Sequence, residues 1–246
     1  MKIAASGGGV GDIIYSIPTL KKLDVGTIYI KESFYPDGSS MFSILKTFME
    51  CQGFRVLPTS GAFPHYVYEP GLQYDYDLDA CKVDPHLRGV RHIMESYLVY
   101  YNLRYSGATM FDPWIVLPET ENEEKEYTTW MVTERWREWS TMNWGEQYFK
   151  VPGRKIFIGI EADYKFFIRE LSKIDANITL PEWFKTKDVL QVAKLIKHGA
   201  GHYCNQNFSL PLALGMGVEH YVEIKPRKTN CVSYKEYEHI LNLQDQ

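Results

Sequence analysis

A glycine-rich turn that ends in a carboxylate is the part of this sequence that most directly suggests chemistry. The glycines Gly7-Gly8-Gly9 and Gly11 follow the apolar residues 3–5 and precede Asp12. Because glycine has no Cβ atom, the N–H groups of such a turn can approach a ligand closely, and a helix that begins there directs its amides at an anion. We therefore take Asp12 as a candidate general base, and Gly9 and Gly11 as candidate phosphate-binding positions. A helix N-cap, worth about 1 kcal/mol, is the alternative role for Asp12, and both roles can hold together.

The turn does not fit the best-known glycine-rich nucleotide loops. A dinucleotide fingerprint would need glycine at positions 7, 9 and 12, and position 12 is Asp12. A Walker A loop would need lysine directly after Gly11, where the chain again has Asp12. Glu32, just past the apolar run 27–30, leaves a nicotinamide cofactor as an alternative, with Glu32 as ribose acceptor.

A second polar cluster lies at the start of a predicted helix, 209–216. Asn205, Gln206 and Asn207 form a turn after an apolar run, and Ser209 begins the helix. Backbone and side-chain donors at a helix start suit the oxygens of a pyrophosphate. The alternative is an ordinary turn with a capped helix.

Two further groups of side chains have spacings that could serve a ligand. Asp75, Asp77 and Asp79 have an Asp-x-Asp spacing, in which two carboxylates can hold a divalent ion that bridges a diphosphate. Their alternation with apolar residues is also typical of a half-buried strand with an exposed acidic face, which we favour. His92 and Glu95 lie three residues apart on one face of a predicted helix. They could line a pocket for the acceptor, the molecule that receives a transferred group, but we favour a pair of side chains on the surface.

Aromatic residues concentrate in one stretch. Four of the six tryptophans stand beside two arginines there: Trp130, Arg135, Trp136, Arg137, Trp139 and Trp144. Indole rings can rest on a lipid headgroup layer or stack on a sugar, so peripheral membrane contact stays open. Packing within a domain is the favoured explanation.

The composition is that of an ordinary globular protein. The chain has 246 residues, of which 45% are hydrophobic and 24% charged, and its formal net charge is −4. This charge gives no general attraction to polyanions and disfavours a nucleic-acid partner. No apolar run reaches the ~18 residues of a membrane span and no signal-peptide core is present, so we expect a cytoplasmic protein.

The cysteines and histidines give no sign of a metal or a cofactor. Cys51, Cys81, Cys204 and Cys231 are widely spaced, without a Cys-x-x-Cys pair, and the histidines form no His-Glu-x-x-His motif. We therefore predict free thiols, no zinc site and no bound cofactor.

Alternating strand and helix patterns must position these groups. In the first half of the chain we predict strands at 3–5, 27–30, 54–57 and 114–117 and helices at 12–23, 41–51 and 90–101. In the second half we predict strands at 128–133, 155–160, 202–204 and 219–224 and helices at 187–198 and 209–216. The alternation implies parallel α/β sheets, and the acidic run 118–124 suits a linker between two domains.

Several segments carry a family resemblance. The run Gly11-Asp12-Ile13-Ile14-Tyr15-Ser16-Ile17-Pro18-Thr19-Leu20 resembles the start of heptosyltransferase-type glycosyltransferases, which form glycosyltransferase family 9. Segments 188–196 and 204–218 are similar to the donor-binding end of that family and of its compact phage-type relatives. Weaker likeness covers most of the chain in the expected order. The resemblance implies an α/β fold of the GT-B type, with two small Rossmann-like domains whose parallel sheets face each other across a cleft.

The resemblance also implies a reaction. It assigns residues 1–122 to an acceptor domain and 123–246 to a nucleotide-sugar donor domain. An acceptor hydroxyl, on a carbohydrate or a lipid-linked saccharide, would attack a nucleotide-diphosphate sugar with inversion and without a metal. Asp12 matches the general base of the family.

Charged residues of the second domain take roles from the same resemblance. Arg135 and Arg137 would contact phosphate, with a solvated charge pair as the alternative. Glu161 or Asp163 would accept the ribose hydroxyls, with helix capping by Asp163 as the alternative. Lys187 would hold the nucleotide base or phosphate, in a position where Thr186 as a helix N-cap is the favoured explanation.

The donor loop departs from the family pattern. Asn205-Gln206-Asn207 replaces the usual acidic residue, small hydroxyl residue and glycine. A non-catalytic nucleotide- or glycan-binding module is therefore one alternative function, and a glycosyltransferase that acts on modified DNA bases is another.

Overall fold

The computed structural model describes residues 1–33, 38–60, 71–84, 86–87, 92–104, 111–118, 126–134, 142–175, 177–225, 230–233 and 235–242. The chain divides into two compact units. The first comprises Met1–Pro118, Asp188–Leu190 and Asn230–Val232, and the second comprises Glu119–Lys187, Gln191–Thr229 and Ser233–Gln246.

The first unit contains a parallel sheet. Its described strands are β1 (Lys2–Ser6), β2 (Val25–Lys31), β3 (Arg55–Thr59) and β4 (Tyr76–Asp77), in the spatial order β3-β2-β1-β4. Its described helices are α1 (Val10–Lys22), α2 (Met41–Cys51), α3 (Ala80–Val83) and α4 (Ile93–Tyr100). Residues Ala4 and Ala5 of β1 and Ile28 and Ile30 of β2 are fully buried. Such continuous burial is typical of a parallel sheet that helices cover on both faces.

The strand order creates a switch point beside β1. From β1 the chain runs outward to β2 and β3, and it then places β4 on the opposite side of β1. A switch point is the place where the strand order reverses, so that the connections after two neighbouring strands, here β1 and β4, lead away in opposite directions. Open α/β sheets bind their ligands in the crevice that this leaves. The glycine-rich turn follows β1 directly, and α3 follows β4, so both begin at this edge of the sheet.

The second unit contains a larger parallel sheet. Its described strands are β5 (Tyr127–Met131), β6 (Arg154–Ile158), β7 (Glu182–Phe184), β8 (His202–Asn205), β9 (His220–Glu223) and β10 (Glu238–Ile240), in the order β10-β9-β8-β5-β6-β7. Its helices are α5 (Trp144–Lys150), α6 (Glu161–Ser172), most of α7 (Val189–His198) and α8 (Ser209–Met216). The switch point of this sheet lies between β5 and β8.

Aromatic side chains dominate the core of the second unit. Trp130 is fully buried and contacts Trp144, Tyr148 and Phe167. From Trp130 a row of stacked rings, which we call the aromatic ladder, crosses the sheet. Its ring centroids are 4.2 Å apart for Trp130 and Tyr203, 4.5 Å for Tyr203 and Tyr221, and 4.6 Å for Tyr221 and His239. The rings stack because their strands are in register at these positions.

The burial of the tryptophans confirms that packing explains part of the aromatic stretch. The Trp144 indole donates from Nε1 to Glu223 Oε2 at 3.1 Å, and Glu223 Oε1 accepts from the Met142 amide at 3.0 Å. Trp130 and Trp144 are therefore core residues of the second unit. Trp136 and Trp139 lie outside the described residues.

Some predicted elements are wrong. Residues 114–117 do not form a strand, because the amide group of Gln52 takes the place of a neighbouring strand: Gln52 Nε2 donates to Val116 O at 2.7 Å, and Val116 N donates to Gln52 Oε1 at 3.0 Å. Helix α1 begins at Val10, two residues before the prediction. The strand at 219–224 is not the last one, since β10 follows it. Residues 88–91, which the predicted helix 90–101 includes in part, lie outside the described residues.

Candidate active site

Asp12 lies in the first turn of α1, at the switch point of the first unit. The residue that precedes the helix is Gly9, and the Gly9 amide donates to Asp12 Oδ2 at 3.2 Å. The alternative role of Asp12 as the N-cap is therefore wrong, because its carboxylate reaches back to the chain from the third helical position. The Asp12 side chain is 33% exposed, so solvent reaches it.

Lys82 connects Asp12 to a second carboxylate. The Lys82 ammonium lies 2.9 Å from Asp12 Oδ2 and 2.8 Å from Asp79 Oδ1. Asp79 is fully buried, and its Oδ2 also accepts from the Gly7 amide. Because Asp12 follows β1 while Asp79 and Lys82 follow β4, these three side chains, which we call the carboxylate–lysine cluster, join the two connections at the switch point.

Burial and charge act in opposite directions on the groups of this cluster. Burial lowers the pKa of Lys82, but the carboxylates of Asp12 and Asp79 outweigh it, so the pKa of Lys82 is raised and the side chain is a cation. Burial raises the pKa of the neighbouring Cys81 thiol to about 12, which keeps the thiol protonated and unreactive. The pKa of Tyr97 is also raised, by burial first and then by the charge of Asp12, so its phenol is neutral.

The glycine-rich turn accommodates a side chain of the protein itself. A Cβ atom on Gly8 would lie 2.1 Å from Lys82 Nζ and 3.1 Å from Asp79 Oδ1. Glycine is therefore required at position 8 for the approach of Lys82. Gly9 is exposed ahead of α1 and Gly11 lies in its first turn, and whether they bind phosphate stays a prediction.

The aspartates with metal-like spacing are engaged elsewhere. Asp75 Oδ2 accepts from the Ile3 amide at 2.7 Å, and Asp77 Oδ1 accepts from the Asp79 amide at 2.9 Å. The expectation of an exposed acidic face is wrong for Asp79, because the Gly7 amide and Lys82 neutralise it in the interior. Within the described ranges, no group of three or more His, Cys, Asp or Glu side chains is arranged to hold a metal ion.

His92 and Glu95 are not a surface pair. His92 is buried as the N-cap of α4, and its Nδ1 accepts from the Met94 amide at 3.1 Å. Its ring packs edge-on against Tyr15 and Phe111. Glu95 is half-buried in the first turn of the same helix. The structure thus gives His92 a structural role, and an acceptor-side role for either residue stays a prediction.

In the second unit, Asn205 ties two strand ends together at the switch point. Its Oδ1 accepts from Thr133 N at 3.2 Å and from Thr133 Oγ1 at 3.1 Å, and its Nδ2 donates to Thr133 O at 3.0 Å. The Asn205 side chain is buried. Both ends of its amide are therefore occupied by the segment that follows β5.

Asn207 and Ser209 belong to a buried chain of hydrogen bonds. Asn207 Oδ1 accepts from the Ser209 amide at 2.8 Å and from Ser209 Oγ at 2.6 Å, which holds the turn that leads into α8. Asn207 Nδ2 donates to Met131 O at 2.7 Å. These contacts match the alternative of an ordinary turn before the helix. The backbone amides are engaged as well, since the Leu210 amide donates to Asn207 O at 3.2 Å. Whether this turn binds phosphate stays a prediction.

His202 completes this chain of hydrogen bonds. Its Nε2 lies 2.7 Å from Ser209 Oγ, and its Nδ1 lies 2.8 Å from Thr129 Oγ1. Burial lowers the pKa of His202 to about 3, with a smaller contribution from His220, so the ring is neutral. Since Ser209 Oγ donates to Asn207, His202 Nε2 carries the proton and Nδ1 accepts from Thr129.

The other predicted donor-side residues lie along the carboxyl edge of the same sheet. Gln206 Oε1 accepts from the Lys225 amide at 2.7 Å. Asp163, in the first turn of α6, accepts on Oδ1 from the Glu134 amide at 3.1 Å; burial, the largest effect, raises its pKa. It does not cap the helix, since Ile160 precedes α6.

Glu161 and Lys187 are exposed. Glu161 forms an ion pair with Lys165 at 2.6 Å. The Lys187 amide donates to Gln191 Oε1 at 2.8 Å. Thr186 is not the N-cap that we favoured, because α7 begins at Val189 and Asp188 precedes it. Arg135 and Arg137 lie outside the described residues.

The sequence patterns missed Lys82 and Thr133. A signal for Lys82 existed, because Asp79 and Lys82 are three residues apart directly after a strand, where side chains of one helical turn face each other. No comparable signal exists for Thr133, since its role depends on Asn205, far away in the chain.

Comparisons with solved structures identify the fold. The chain is similar to a glycosyl transferase family 9 protein from Veillonella parvula DSM 2008, with 13% identity, a TM-score of 0.65 and coverage of 99% of this chain and 86% of that chain. It is also similar to the E. coli ADP-heptose LPS heptosyltransferase II, with 12% identity, a TM-score of 0.62 and coverage of 98% and 90%. A third similar structure is the E. coli heptosyltransferase WaaC with ADP, with 11% identity, a TM-score of 0.61 and coverage of 97% and 92%.

Sequence comparison adds nothing to this result. No protein-family model matches the sequence, and no curated protein matches it. Among the described residues, no helix is long and apolar enough to cross a membrane.

The two parallel sheets and the similarity over nearly the whole chain show that this protein has the GT-B fold of the heptosyltransferase-type glycosyltransferases.

Proposed function

We propose that this chain is a glycosyltransferase that moves a sugar from a nucleotide-diphosphate sugar to an acceptor hydroxyl. The observation that carries the proposal is the part-exposed carboxylate of Asp12 at the switch point of the first unit, where Lys82 and the Gly9 amide hold it. The fold supports this reaction class, because the similar structures include heptosyltransferases. A fold alone hosts many activities, so the site is the stronger argument.

In this proposal the first unit binds the acceptor, a carbohydrate or a lipid-linked saccharide. Asp12 accepts the proton of the attacking hydroxyl as the new bond forms at the anomeric carbon. A single displacement of this kind inverts the anomeric configuration and passes through a transition state that resembles an oxocarbenium ion.

The second unit would bind the donor and stabilise the leaving group. As the bond to the nucleotide diphosphate breaks, charge grows on its phosphate oxygens, and donors already in place lower the barrier. The turn 205–208 that leads into α8, with Gln206 and the Phe208 amide, is the candidate for this role. Arg135, Arg137 and Lys187 are the proposed cations, and Glu161 or Asp163 would accept the ribose hydroxyls.

We assign no metal to the reaction. The aspartates with metal-like spacing are committed to the Ile3, Asp79 and Gly7 amides and to Lys82. Thermal unfolding with ADP, GDP or UDP, in EDTA and in Mg²⁺, tests this assignment. We expect one of these nucleotides to raise the unfolding temperature equally in both buffers. A shift that occurs only with Mg²⁺ would contradict a metal-independent reaction.

The activity itself can be measured without knowledge of the acceptor, because water can replace it. We would incubate the protein with ADP-heptose, ADP-glucose, GDP-mannose or UDP-glucose and follow release of the nucleoside diphosphate. NMR of the released sugar at early times reports its anomeric configuration. We expect slow hydrolysis of one donor with inversion, and hydrolysis with retention would contradict the single displacement.

A second function has support from the donor loop. The side chains of Asn205, Asn207 and Ser209 are used in hydrogen bonds inside the second unit. This arrangement also fits a nucleotide-binding module that does not turn over its ligand. Binding of ADP, GDP or UDP together with a lack of hydrolysis of every donor sugar tested would favour this module over the transferase.

A further inference from the structure

The carboxylate–lysine cluster differs from an ordinary surface ion pair. Exposed pairs contribute ~0–1 kcal/mol and often have no measurable effect. Here the Lys82 side chain is only 22% exposed and Asp79 is not exposed at all. Both carboxylates lie within 3 Å of the same ammonium, which therefore has a fixed position between two chain segments.

The approach of Lys82 depends on the glycine-rich turn. The space that a Cβ atom on Gly8 would occupy is within 2.1 Å of Lys82 Nζ. The ammonium is also held by Asp79, which the Gly7 amide fixes in turn. The turn and the buried carboxylate together set the position of the ammonium.

The contacts to Asp12 select one of its oxygens. Lys82 Nζ and the Gly9 amide both donate to Oδ2. The terminal torsion of an aspartate has a broad range, so an unheld carboxylate presents either oxygen in many directions. Donors on Oδ2 restrict the orientation of the carboxylate, and within the described part of the chain Oδ1 has no hydrogen-bond donor from the protein.

Asp79 adds a second negative charge to the cluster. An ammonium paired with Asp12 alone would form a neutral pair, and a proton taken up by Asp12 would leave an uncompensated cation. With Asp79 as second carboxylate, the cluster starts with one excess negative charge and becomes neutral when Asp12 is protonated. A part-buried site is destabilised less by a neutral cluster than by an uncompensated charge, so Asp79 favours the state in which Asp12 is protonated.

We propose that Lys82 is a positioning residue: it holds Asp12 by Oδ2 so that Oδ1 faces the acceptor hydroxyl, and Asp79 is its fixed counter-charge. This inference rests on the proposed function, in which Asp12 is the general base. Lys82 does not contact substrate in this arrangement and acts only through Asp12.

A double-mutant cycle tests the proposal. Lys82→Met should lower kcat for donor hydrolysis by roughly 10–100-fold, because a small misplacement of a catalytic group has an effect of that size. The KM for the donor should change less than about threefold, because binding is not altered when only transition-state interactions are lost. In the Asp12→Asn background, Lys82→Met should lower kcat less than about threefold, since residues that act as a unit are not additive.

The cycle distinguishes positioning from a merely structural role. Loss of folding would lower activity in both backgrounds. An equal fold-loss of kcat from Lys82→Met with Asp12 and with asparagine at position 12 would overturn the proposal, even if Asp12→Asn alone lowers kcat strongly. Lys21→Met is the matched control, because the Lys21 ammonium also donates to an acceptor of the first unit, Trp114 O, at the far end of α1. We expect wild-type kcat for this control.

Gly8→Ala gives a second measurement if Lys82→Met does not fold. The new methyl group displaces the ammonium without removing its charge. We expect kcat to fall with Asp12 present and to stay unchanged in the Asp12→Asn background. Failure of the proposed function has a different signature: full hydrolysis by Asp12→Asn, or no hydrolysis of any of the four nucleotide sugars by the wild type, would overturn the base assignment and this proposal together.

Discussion

Asp12 differs from most of the other candidate side chains in how much of its hydrogen-bonding capacity is left for a ligand. Asn205 uses both ends of its amide within the second unit, and Asn207 and Ser209 bond to each other and to the chain. The contacts of Asp12 all go to one oxygen. The sequence alone therefore does not tell which polar side chains are used in the protein's own hydrogen bonds and which can bind a ligand. Their hydrogen-bond partners in the structure decide this.

Replacement of Asp12 by asparagine is the sharpest test at the scale of one residue. Asparagine keeps the size of aspartate but cannot accept a proton, so Asp12→Asn should lower turnover roughly 10²–10⁴-fold. Donor affinity should stay within a few fold, because the second unit would hold the donor. Kinetics with the hydrolysed donor and titration with the nucleoside diphosphate measure both quantities.

Asp24→Asn is the control for this variant. Asp24 is exposed just after the other end of α1 and has a φ of 57°, a region that asparagine also tolerates. Its turnover should equal that of the wild type. Near wild-type turnover by a folded Asp12→Asn protein would instead leave Asp12 with a structural role in the first turn of α1.

Buried His202 predicts a pH dependence of stability. Its pKa is lowered to about 3 in the folded protein, whereas an unfolded histidine titrates near 6.5, so the unfolded state binds the additional proton between these values. The stabilising contribution of neutral His202 is fully present above pH ~6.5 and is lost as the pH falls below it, by up to ~1.4 kcal/mol per pH unit.

NMR of the histidine ring measures this directly. The His202 signals of the folded protein should not titrate between pH 8 and 5, a window that lies above the folded-state pKa of about 3. The same ring in protein unfolded by urea should titrate near pH ~6.5. Titration of the folded-state signal in this window would show that the imidazole is not held neutral by burial.

At the scale of elements, the sequence predicts most of the strand–helix alternation of the first unit, but it misses helices α5 and α6 of the second unit and the short strands. Helices α2 and α8 have the predicted bounds, because each combines a strong apolar pattern with a clear start signal. The strand β7 and the strand β10 are three residues long and carry no periodicity. The wrong strand at 114–117 has an apolar pattern, but the decisive partner is the distant Gln52 side chain.

The residues of the candidate site also differ in whether the sequence alone could reveal them. The glycine-rich turn and Asp12 can be found locally, because they stand together in sequence. Lys82 is found only once the strand order is known, since β4 lies next to β1 although the two are far apart along the chain. The role of Gly8 likewise depends on Lys82.

Asn207→Ala separates a role in holding the turn before α8 from ligand binding. The amide and the buried hydroxyl of Ser209 would both lose their acceptor, and a buried donor left without a partner costs ~1–3 kcal/mol. We expect the free energy of unfolding to fall by about 1–3 kcal/mol on this basis. The dissociation constant for the nucleoside diphosphate should change less than about threefold, because a backbone contact does not need this side chain.

The matched control is Asn177→Ala, at an exposed position of the same unit. Its stability should equal that of the wild type within ~0.5 kcal/mol, as for ordinary surface substitutions. A large loss of nucleotide affinity in Asn207→Ala, with little change in stability, would show that Asn207 contacts the donor directly.

At the scale of the whole molecule, the assignment of donor and acceptor to separate units predicts where a nucleotide protects the backbone. Hydrogen exchange with and without the best-binding nucleoside diphosphate should show slower exchange at the start of α8 and in the loops after β5 and β6. Ligand at about 100 times its dissociation constant adds ~2.7 kcal/mol of stability. Protection confined to the glycine-rich turn of the first unit would reverse the assignment.

The placement of the tryptophans gives this protein an optical consequence. Trp114 is the one tryptophan of the six within Met1–Pro118, and the other five follow that segment in the chain. Indole fluorescence therefore reports mainly on the second unit, where Trp130, which is fully buried, stacks on Tyr203 at 4.2 Å between ring centroids. Peptide circular dichroism reports on helices of both units. A denaturation profile that differs between these signals would reveal that the halves of the molecule melt independently, and coincident profiles would show that they melt as one cooperative body.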